Sequence, residues 1–188
     1  MQIRVGVLFG GRSSEREVSL ASGRQVYHSL NRKTYQGVPL FLDAGGALWR
    51  LPDKLVLQNT TSDIAHRVEK EAQRVCYEDL KDLVDVVFIA LHGKYGDDGC
   101  IQGVLELLDI PYTGSGVLPC AVSMDKSVAH QLLAAAGFEA VREAVVAEHA
   151  WNTDAEGITR HLTQHIGFPV SSSPPAKAQA SGFGRPEP

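Results

Sequence analysis

Short apolar runs alternate with polar, glycine-containing loops along this chain. Apolar residues at 5–9, 35–42 and 84–91 predict strands, and the last run, VDVVFIAL, is nearly continuous, as in a strand covered on both sheet faces. Helical spacing of apolar residues at 18–30 and 101–108 predicts helices between them. Strands that alternate with helices predict an α/β fold with a parallel, doubly wound sheet.

Three polar loops follow predicted strands, at residues 10–17, 92–99 and 113–116. The loops after parallel strands share one edge of the sheet, and ligands of such folds bind there. We therefore expect the three loops to converge and to form a small-ligand site.

The first loop reads GGRSSERE and leads into a helix. Ser13 or Ser14 could cap that helix, and the turn would direct backbone N–H groups and the carboxylates of Glu15 and Glu17 at a ligand. An ordinary structural turn, with glutamates that only favour the helix N-terminus, is the alternative.

Four further polar residues are candidates for chemistry. His92 ends a buried strand, where α/β enzymes place reactive groups, although it could equally hydrogen-bond a neighbouring loop. Asp97 and Asp98 could contact a metal or a ligand amine, or only stabilise a turn before Gly99. Lys126, at the head of a predicted helix, could reach a phosphate or lie on the surface.

Composition narrows the class of protein. The 188 residues are 44% hydrophobic and 21% charged, as in soluble globular proteins, and the net charge of -4 argues against nucleic-acid and anionic-membrane partners. The three cysteines, an odd number without CxxC spacing, predict neither disulfides nor a metal site. The first residues lack a signal-peptide pattern and no apolar run could span a bilayer, so we expect a cytoplasmic protein.

The motifs, taken together, resemble those of D-alanine–D-alanine ligases. The resemblance implies a Rossmann-like (pre-ATP-grasp) parallel sheet with helices on both faces in residues 1–122, and the start of an ATP-grasp domain in residues 123–170. The motifs stand in the family's order: GGRSSEREVSL at 10–20, HGKYGDDG at 92–99, PYTGSG at 111–116 and MDK at 124–126.

The resemblance also implies a function. The family consists of ATP- and Mg²⁺-dependent enzymes that make the D-Ala-D-Ala dipeptide for peptidoglycan through an acyl phosphate. Glu15 would bind the ammonium group of the first D-alanine, Val18 and Ser19 would line the same pocket, and His92 would lie beside the reacting groups. Lys126 would contact the phosphates of ATP. No metal ligand is assigned within this chain, and a homodimer is expected from the family.

The chain departs from the family pattern in two places. Asp97 replaces a glutamate usual in the family, which shortens the side chain by one methylene. After Val170 the family continues with Val-Lys-Pro and a Gly-Ser-Ser loop, whereas residues 171–188 are rich in Ser, Pro, Ala and Gly, a composition that predicts disorder.

The codon table offers an explanation for this C-terminal tail. The codons TCG-TCA-AGC-CCG-CC, preceded by G and read one base earlier, encode Val-Val-Lys-Pro-Ala. We therefore hypothesise that residues 171–188 are out of frame and that the native product is longer. Because the family's Mg²⁺-binding carboxylates, adenine clamp and phosphate-stabilising arginine lie beyond residue 170, we expect this chain alone to have no ligase activity.

Two alternatives to a D-alanine–D-alanine ligase remain at this point. A related ligase that makes D-Ala-D-lactate or D-Ala-D-Ser would carry the same motifs, because most second-substrate determinants lie in the other half of the family sequence. A non-catalytic module could instead keep the fold and the Glu15 pocket as a small-ligand site.

Overall fold

The chain forms two compact units, one up to Ala121 and one from Val122 onward. The computed structural model describes residues 2–139 and 142–167. The interpretation of the second unit as the start of an ATP-grasp domain stays a prediction, and the predicted disorder of residues 171–188 lies outside the described residues.

A five-stranded sheet forms the centre of the first unit, with the order β4-β3-β2-β1-β5. The central strand β1 (Ile3–Gly10) pairs in parallel with β2 (Tyr35–Leu42) on one side and with β5 (Val86–Ile89) on the other. The short strands β3 (Leu48–Arg50) and β4 (Gln73–Val75) extend the sheet in antiparallel fashion beyond β2. The parallel part therefore holds β1 and β5, the strands that precede the first two predicted site loops, while Tyr112, just before the third loop, forms only an isolated parallel bridge to Val87.

The connections between strands are mostly helical. A long first helix follows β1 directly, several single-turn helices lie between β3 and β5, and two eight-residue helices follow β5. In chain order they are α1 (Arg16–Ser29), α2 (Asp53–Val56), α3 (Thr61–Ala65), α4 (Val68–Glu71), the 3₁₀ turn Tyr77–Asp79, α5 (Leu80–Leu83), α6 (Cys100–Leu107) and α7 (Val117–Met124).

Both faces of the sheet are covered, as the apolar strand pattern predicted. Val7 and Phe9 of β1 point into a core shared with Leu20 of α1 and residues of α2, α3 and α4. Leu8 points to the opposite face, into a second core that includes Leu105 of α6. Alternation along a strand sends successive side chains to opposite faces, so a strand buried on both must be apolar throughout.

Within the described residues of the second unit there are three further helices: α8 (Lys126–Ala135), α9 (Glu148–Thr153) and α10 (Ala155–His165). Carboxylates cap two of them: Val128 N donates to Asp125 Oδ1 at 3.2 Å, and Gly157 N donates to Asp154 Oδ1 at 2.8 Å. Of the helices in the described ranges, none combines the length and apolar character needed to cross a membrane.

Candidate functional site

Two of the three predicted loops meet at the carboxyl edge of the parallel strands. Ser13 Oγ, in the loop after β1, donates to the carbonyl of His92, after β5, at 2.6 Å. On the far side of β5, Thr113 N donates to the carbonyl of Val87 at 3.0 Å. The first bond joins the loops after β1 and β5. The second places Thr113 beside the interior of β5, so the meeting of the third loop with the other two stays a prediction.

Glu15 occupies the N-cap position of α1, and its side chain makes no capping hydrogen bond. Its backbone N–H donates to Ser13 Oγ at 3.1 Å. This local side-chain-to-backbone hydrogen bond fixes the turn that leads into α1. The exposed carboxylate lies against the backbone of Gly93 in the facing loop. A negative charge is favourable at a helix N-terminus, and this one is open to a cationic ligand.

Gly93 is required by this arrangement. Its φ of +70° lies in the left-handed region, which L side chains rarely adopt. A Cβ atom at this position would also lie 3.2 Å from both Glu15 Oε1 and Ser13 Oγ. Glycine therefore allows the second loop to approach the carboxylate.

The His92 imidazole is held by α1. Its Nε2 atom lies 2.9 Å from Ser22 Oγ, and which of the two donates depends on the tautomer of the ring. Sequence reasoning missed Ser22, although a signal exists: Glu15, Ser19 and Ser22 follow the i, i+4, i+7 spacing of one helix face. That face of α1 is turned toward the end of β5.

Ser19 connects the ends of two strands. Its hydroxyl is fully buried, accepts a hydrogen bond from Gly10 N at 2.9 Å and donates to the carbonyl of Ala90 at 2.8 Å. The hydroxyl is therefore used within the fold, and the role of Ser19 in lining a substrate pocket stays a prediction. Its neighbour Val18 is 57% exposed on the first turn of α1.

Glu17 does not point at the candidate ligand position, contrary to the expectation from the loop sequence. Its carboxylate accepts hydrogen bonds from the backbone N–H of Thr61, at 3.0 Å, and from the Thr61 hydroxyl. Because Thr61 begins α3, the N-terminal N–H of that helix satisfies the glutamate. Glu17 therefore holds α3 against α1, and sequence spacing could not reveal a partner 44 residues away.

The adjacent carboxylates of Asp97 and Asp98 face their own loop. Gly93 N donates to Asp97 Oδ2 at 2.7 Å, and Tyr95 N donates to Asp98 Oδ2 at 2.9 Å. Cys100 N donates to Asp98 Oδ1 at 3.1 Å. Of the two alternatives, turn stabilisation fits these contacts. Burial first, and then a hydrogen bond to Asp98, raises the pKa of the Cys100 thiol to about 11, so this thiol is not a nucleophile at neutral pH.

Tyr95 adds a second unusual backbone position to this loop, with a φ of +67°. The guanidinium carbon of Arg12 lies 4.8 Å from the centre of its ring, and Lys94 Nζ lies 4.9 Å from it. Arg12 belongs to the loop after β1, so this cation–π contact is a further connection between the two loops.

Lys126 lies in the second unit as the first residue of α8, and it is exposed. An ammonium group at a helix N-terminus suits an anionic partner such as a phosphate, although the Asp125 carboxylate already accepts a hydrogen bond from Val128 N at this helix end. Within residues 2–139 and 142–167, no three or more His, Cys, Asp or Glu side chains are grouped to hold a metal ion. The role of Lys126 as a phosphate contact stays a prediction.

Comparison with known proteins identifies relatives. The D-alanine–D-alanine ligase of Pelotomaculum thermopropionicum is 36% identical over 184 residues, which cover 97% of this chain and 49% of the relative. The D-alanine–D-alanine ligase of Geobacter sulfurreducens is 38% identical over 180 residues, which cover 95% of this chain and 45% of the relative. The chain spans about half the length of the curated relatives it matches.

Solved structures give the same result. A D-alanine–D-alanine ligase from Coxiella burnetii superposes with a TM-score of 0.71 at 28% identity, over 88% of this chain and 50% of the other. The VanG D-Ala:D-Ser ligase of Enterococcus faecalis superposes with a TM-score of 0.71 at 27% identity, over 90% of this chain and 51% of the other. Residues 4–115 match the family model described as the D-ala D-ala ligase N-terminus. With most of its first unit covered by that match, the chain belongs to the D-ala D-ala ligase N-terminus family.

Proposed function

We propose that this chain forms the first-substrate half of a D-alanine–D-alanine ligase, which joins two D-alanine molecules for peptidoglycan synthesis in the cytoplasm. The observation that carries the proposal is the position of the Glu15 carboxylate, exposed at the N-terminus of α1 and facing the Gly93 backbone. The names of the relatives support the choice of reaction.

Glu15 binds the ammonium group of the first D-alanine. A hydrogen bond between charged groups is worth about 1.5–3 kcal/mol, enough to orient a small amino acid with few other polar contacts. Val18, exposed one helical position before the buried Ser19, contributes apolar contact to the same ligand. His92 lies beside the reacting groups, and Ser22 fixes the orientation of its ring.

ATP supplies the phosphoryl group that activates the carboxylate of the first D-alanine, and Mg²⁺ neutralises the phosphate charges. Lys126 is the residue of this chain that contacts the phosphates, because its ammonium is exposed at the start of α8. The remaining groups that stabilise phosphoryl transfer come from the half of the enzyme that this chain does not span.

The choice of second substrate follows the relatives. D-Ala-D-lactate and D-Ala-D-Ser ligases are the related alternatives, and the VanG structure shows that a D-Ala:D-Ser ligase shares this fold. The curated relatives described above are D-alanine–D-alanine ligases, which favours D-alanine as the second substrate. A homodimer formed through the first unit remains a prediction from the family.

Two preparations test the proposal. The 188-residue chain alone should form no ADP in the presence of ATP, Mg²⁺ and D-alanine, because it lacks the second half of the enzyme. A chimera that joins residues 1–167 to the part of the Geobacter sulfurreducens ligase that this chain does not cover should form ADP only when D-alanine is present. The 38% identity of the two proteins makes this relative a suitable donor.

A second variant of the chimera, Lys126→Ala, tests the phosphate contact: it should fold equally well and show a raised KM for ATP. A folded chimera without D-alanine-dependent ADP formation, but with D-alanine binding in calorimetry, would support the non-catalytic module instead. ADP formation by the 188-residue chain alone would overturn the view that it is only half of a catalyst.

A further inference from the structure

An imidazole pair on α10 lies far along the sequence from the loops of the candidate site. His161 and His165 are both exposed, one helical turn apart, and their rings stack with centroids 4.1 Å apart and planes inclined by 25°. Residues at i and i+4 share one face of a helix. Two histidines with this spacing on a helix are a common way to present two nitrogen ligands to one metal ion.

One ring of the pair is held in the tautomer that a metal requires. His165 Nδ1 lies 2.9 Å from the backbone carbonyl of His161. A carbonyl oxygen only accepts hydrogen bonds, so His165 carries its proton on Nδ1 and presents the lone pair of Nε2 outward. Metal-binding histidines typically donate their other ring N–H to a carbonyl or carboxylate in this way.

The spacing of the rings suits a single metal ion. Nitrogen ligands lie about 2.0–2.1 Å from zinc, so two of them at a tetrahedral angle are roughly 3.3 Å apart. In the stacked arrangement, with centroids 4.1 Å apart, the in-plane lone pairs of the two rings do not converge, so binding requires rotation about the side-chain torsions to turn both nitrogens toward one ion. No change of the helix backbone is needed.

The electrostatic setting also favours a cation. His165 is the last residue of α10, where the carbonyl groups of the final turn carry partial negative charge. The neighbouring cation Arg160 lines a different surface, together with Trp151 and Glu156. The helical spacing of about 100° per residue turns Arg160 away from the histidine pair.

We propose that His161 and His165 form a two-ligand site for a borderline divalent cation of the Zn²⁺, Ni²⁺ or Cu²⁺ class. Imidazole nitrogen suits these ions, whereas Mg²⁺ prefers oxygen ligands, so this site is separate from the Mg²⁺ that accompanies ATP. Since the described residues place no third acidic, histidine or cysteine side chain in a metal-binding group, water completes the coordination shell. Because the protein supplies only two ligands, the affinity of the site for the ion depends on chelation by His161 and His165 together.

Calorimetric titration of the 188-residue chain with NiCl₂ and with ZnCl₂ tests the site. We expect one equivalent of each ion to bind, and an excess of MgCl₂ to leave the binding unchanged. His161→Asn and His165→Asn should each weaken binding about tenfold or more, because either variant removes the chelate effect. His28→Asn, a change at another exposed histidine, is the matched control and should bind as the wild type does.

The location of the ion gives a second measurement. Substoichiometric Cu²⁺ should broaden the amide resonances of α10 first, with the residues around His161 and His165 affected most. The proposal is overturned if Ni²⁺ and Zn²⁺ bind a variant that carries both His161→Asn and His165→Asn as tightly as they bind the wild type. It is also overturned if the broadening is centred on residues outside α10. Neither result depends on ligase activity, so the metal site and the proposed function fail or succeed separately.

Discussion

Removal of the Ser19 hydroxyl should destabilise the first unit by about 2–3 kcal/mol. The hydroxyl is fully buried and makes two hydrogen bonds, to Gly10 N and to the Ala90 carbonyl. Each bond contributes about 1 kcal/mol net, and a buried N–H left without an acceptor costs about 1–3 kcal/mol. Ser19→Ala removes both bonds while preserving the helical backbone, so the loss should fall in the upper part of the range for single substitutions.

Urea unfolding followed by tryptophan fluorescence measures this loss. The chain has two tryptophans, Trp49 in the first unit and Trp151 in the second, so a Trp151→Phe background leaves a probe of the first unit alone. Trp49 is 9% exposed and donates from Nε1 to Asp43, so its emission should change on unfolding. The midpoint should fall while the slope stays constant.

Ser14→Ala, the same change at an exposed residue of the preceding loop, is the control and should alter the free energy of unfolding by less than about 0.5 kcal/mol. Equal stability of Ser19→Ala and Ser14→Ala would refute the reasoning. In that case the hydroxyl would not connect the ends of β1 and β5.

Three further predictions concern other features of the chain. Gly93→Ala should lower the stability of the first unit by more than the roughly 1–2 kcal/mol cost of a left-handed backbone, because the new Cβ displaces the Glu15 and Ser13 side chains. Gly114 also has a positive φ, but a Cβ atom there would meet nothing within 4 Å, so Gly114→Ala should cost less stability in the same fluorescence assay. Hydrogen bonds from Arg67 and then Lys54 lower the pKa of Glu71 from its ordinary value near 4.5 to about 2. The carboxylate therefore contributes its full stabilisation above pH 4.5 and loses it as the pH falls toward 2. Glu71→Gln should make the protein lose less stability on acidification, whereas Glu69→Gln, at an exposed residue, should not, and an unchanged acid profile of Glu71→Gln would contradict this. The reading-frame hypothesis predicts that the source DNA, read from the third base of the Val170 codon, encodes Val-Val-Lys-Pro-Ala. Two codons later the same frame should encode Gly-Ser-Ser, which the codons of residues 177–180 permit. A stop codon before that point would refute the hypothesis.

The sequence pattern predicted those elements whose signals are local. The apolar runs identified β1, β2 and β5, and their parallel order followed from the alternation with helices. Asp154 stands before a helical pattern in the sequence, a position that predicts a helix start, and it caps α10. The loops after β1 and β5 were expected to meet, and the hydrogen bond from Ser13 to the His92 carbonyl confirms that they do.

The pattern failed where tertiary contacts decide the structure. The sequence of residues 64–75 predicts one helix, but the structure divides the region into α3, α4 and the edge strand β4, because pairing of Val75 with Leu48 outweighs a weak helical preference. The apolar residues 144–146, Ala-Val-Val, predict a short strand, but the structure forms no strand in that segment. Two hydrogen bonds of the site join residues that are far apart in sequence, and no local pattern encodes such contacts. They are the bond from Thr61 to Glu17 and the bond between Ser22 and His92.

The dependence of D-alanine use on Glu15 tests the central claim most directly. In the chimera that carries residues 1–167, Glu15→Gln keeps the size of the side chain but removes the charge that binds the ammonium group. A loss of about 1.5–3 kcal/mol corresponds to a fall in kcat/KM for D-alanine of roughly 10- to 150-fold, whereas Glu69→Gln should leave kcat/KM unchanged. If Glu15→Gln and Glu69→Gln use D-alanine equally well, the carboxylate at the start of α1 does not bind the first substrate.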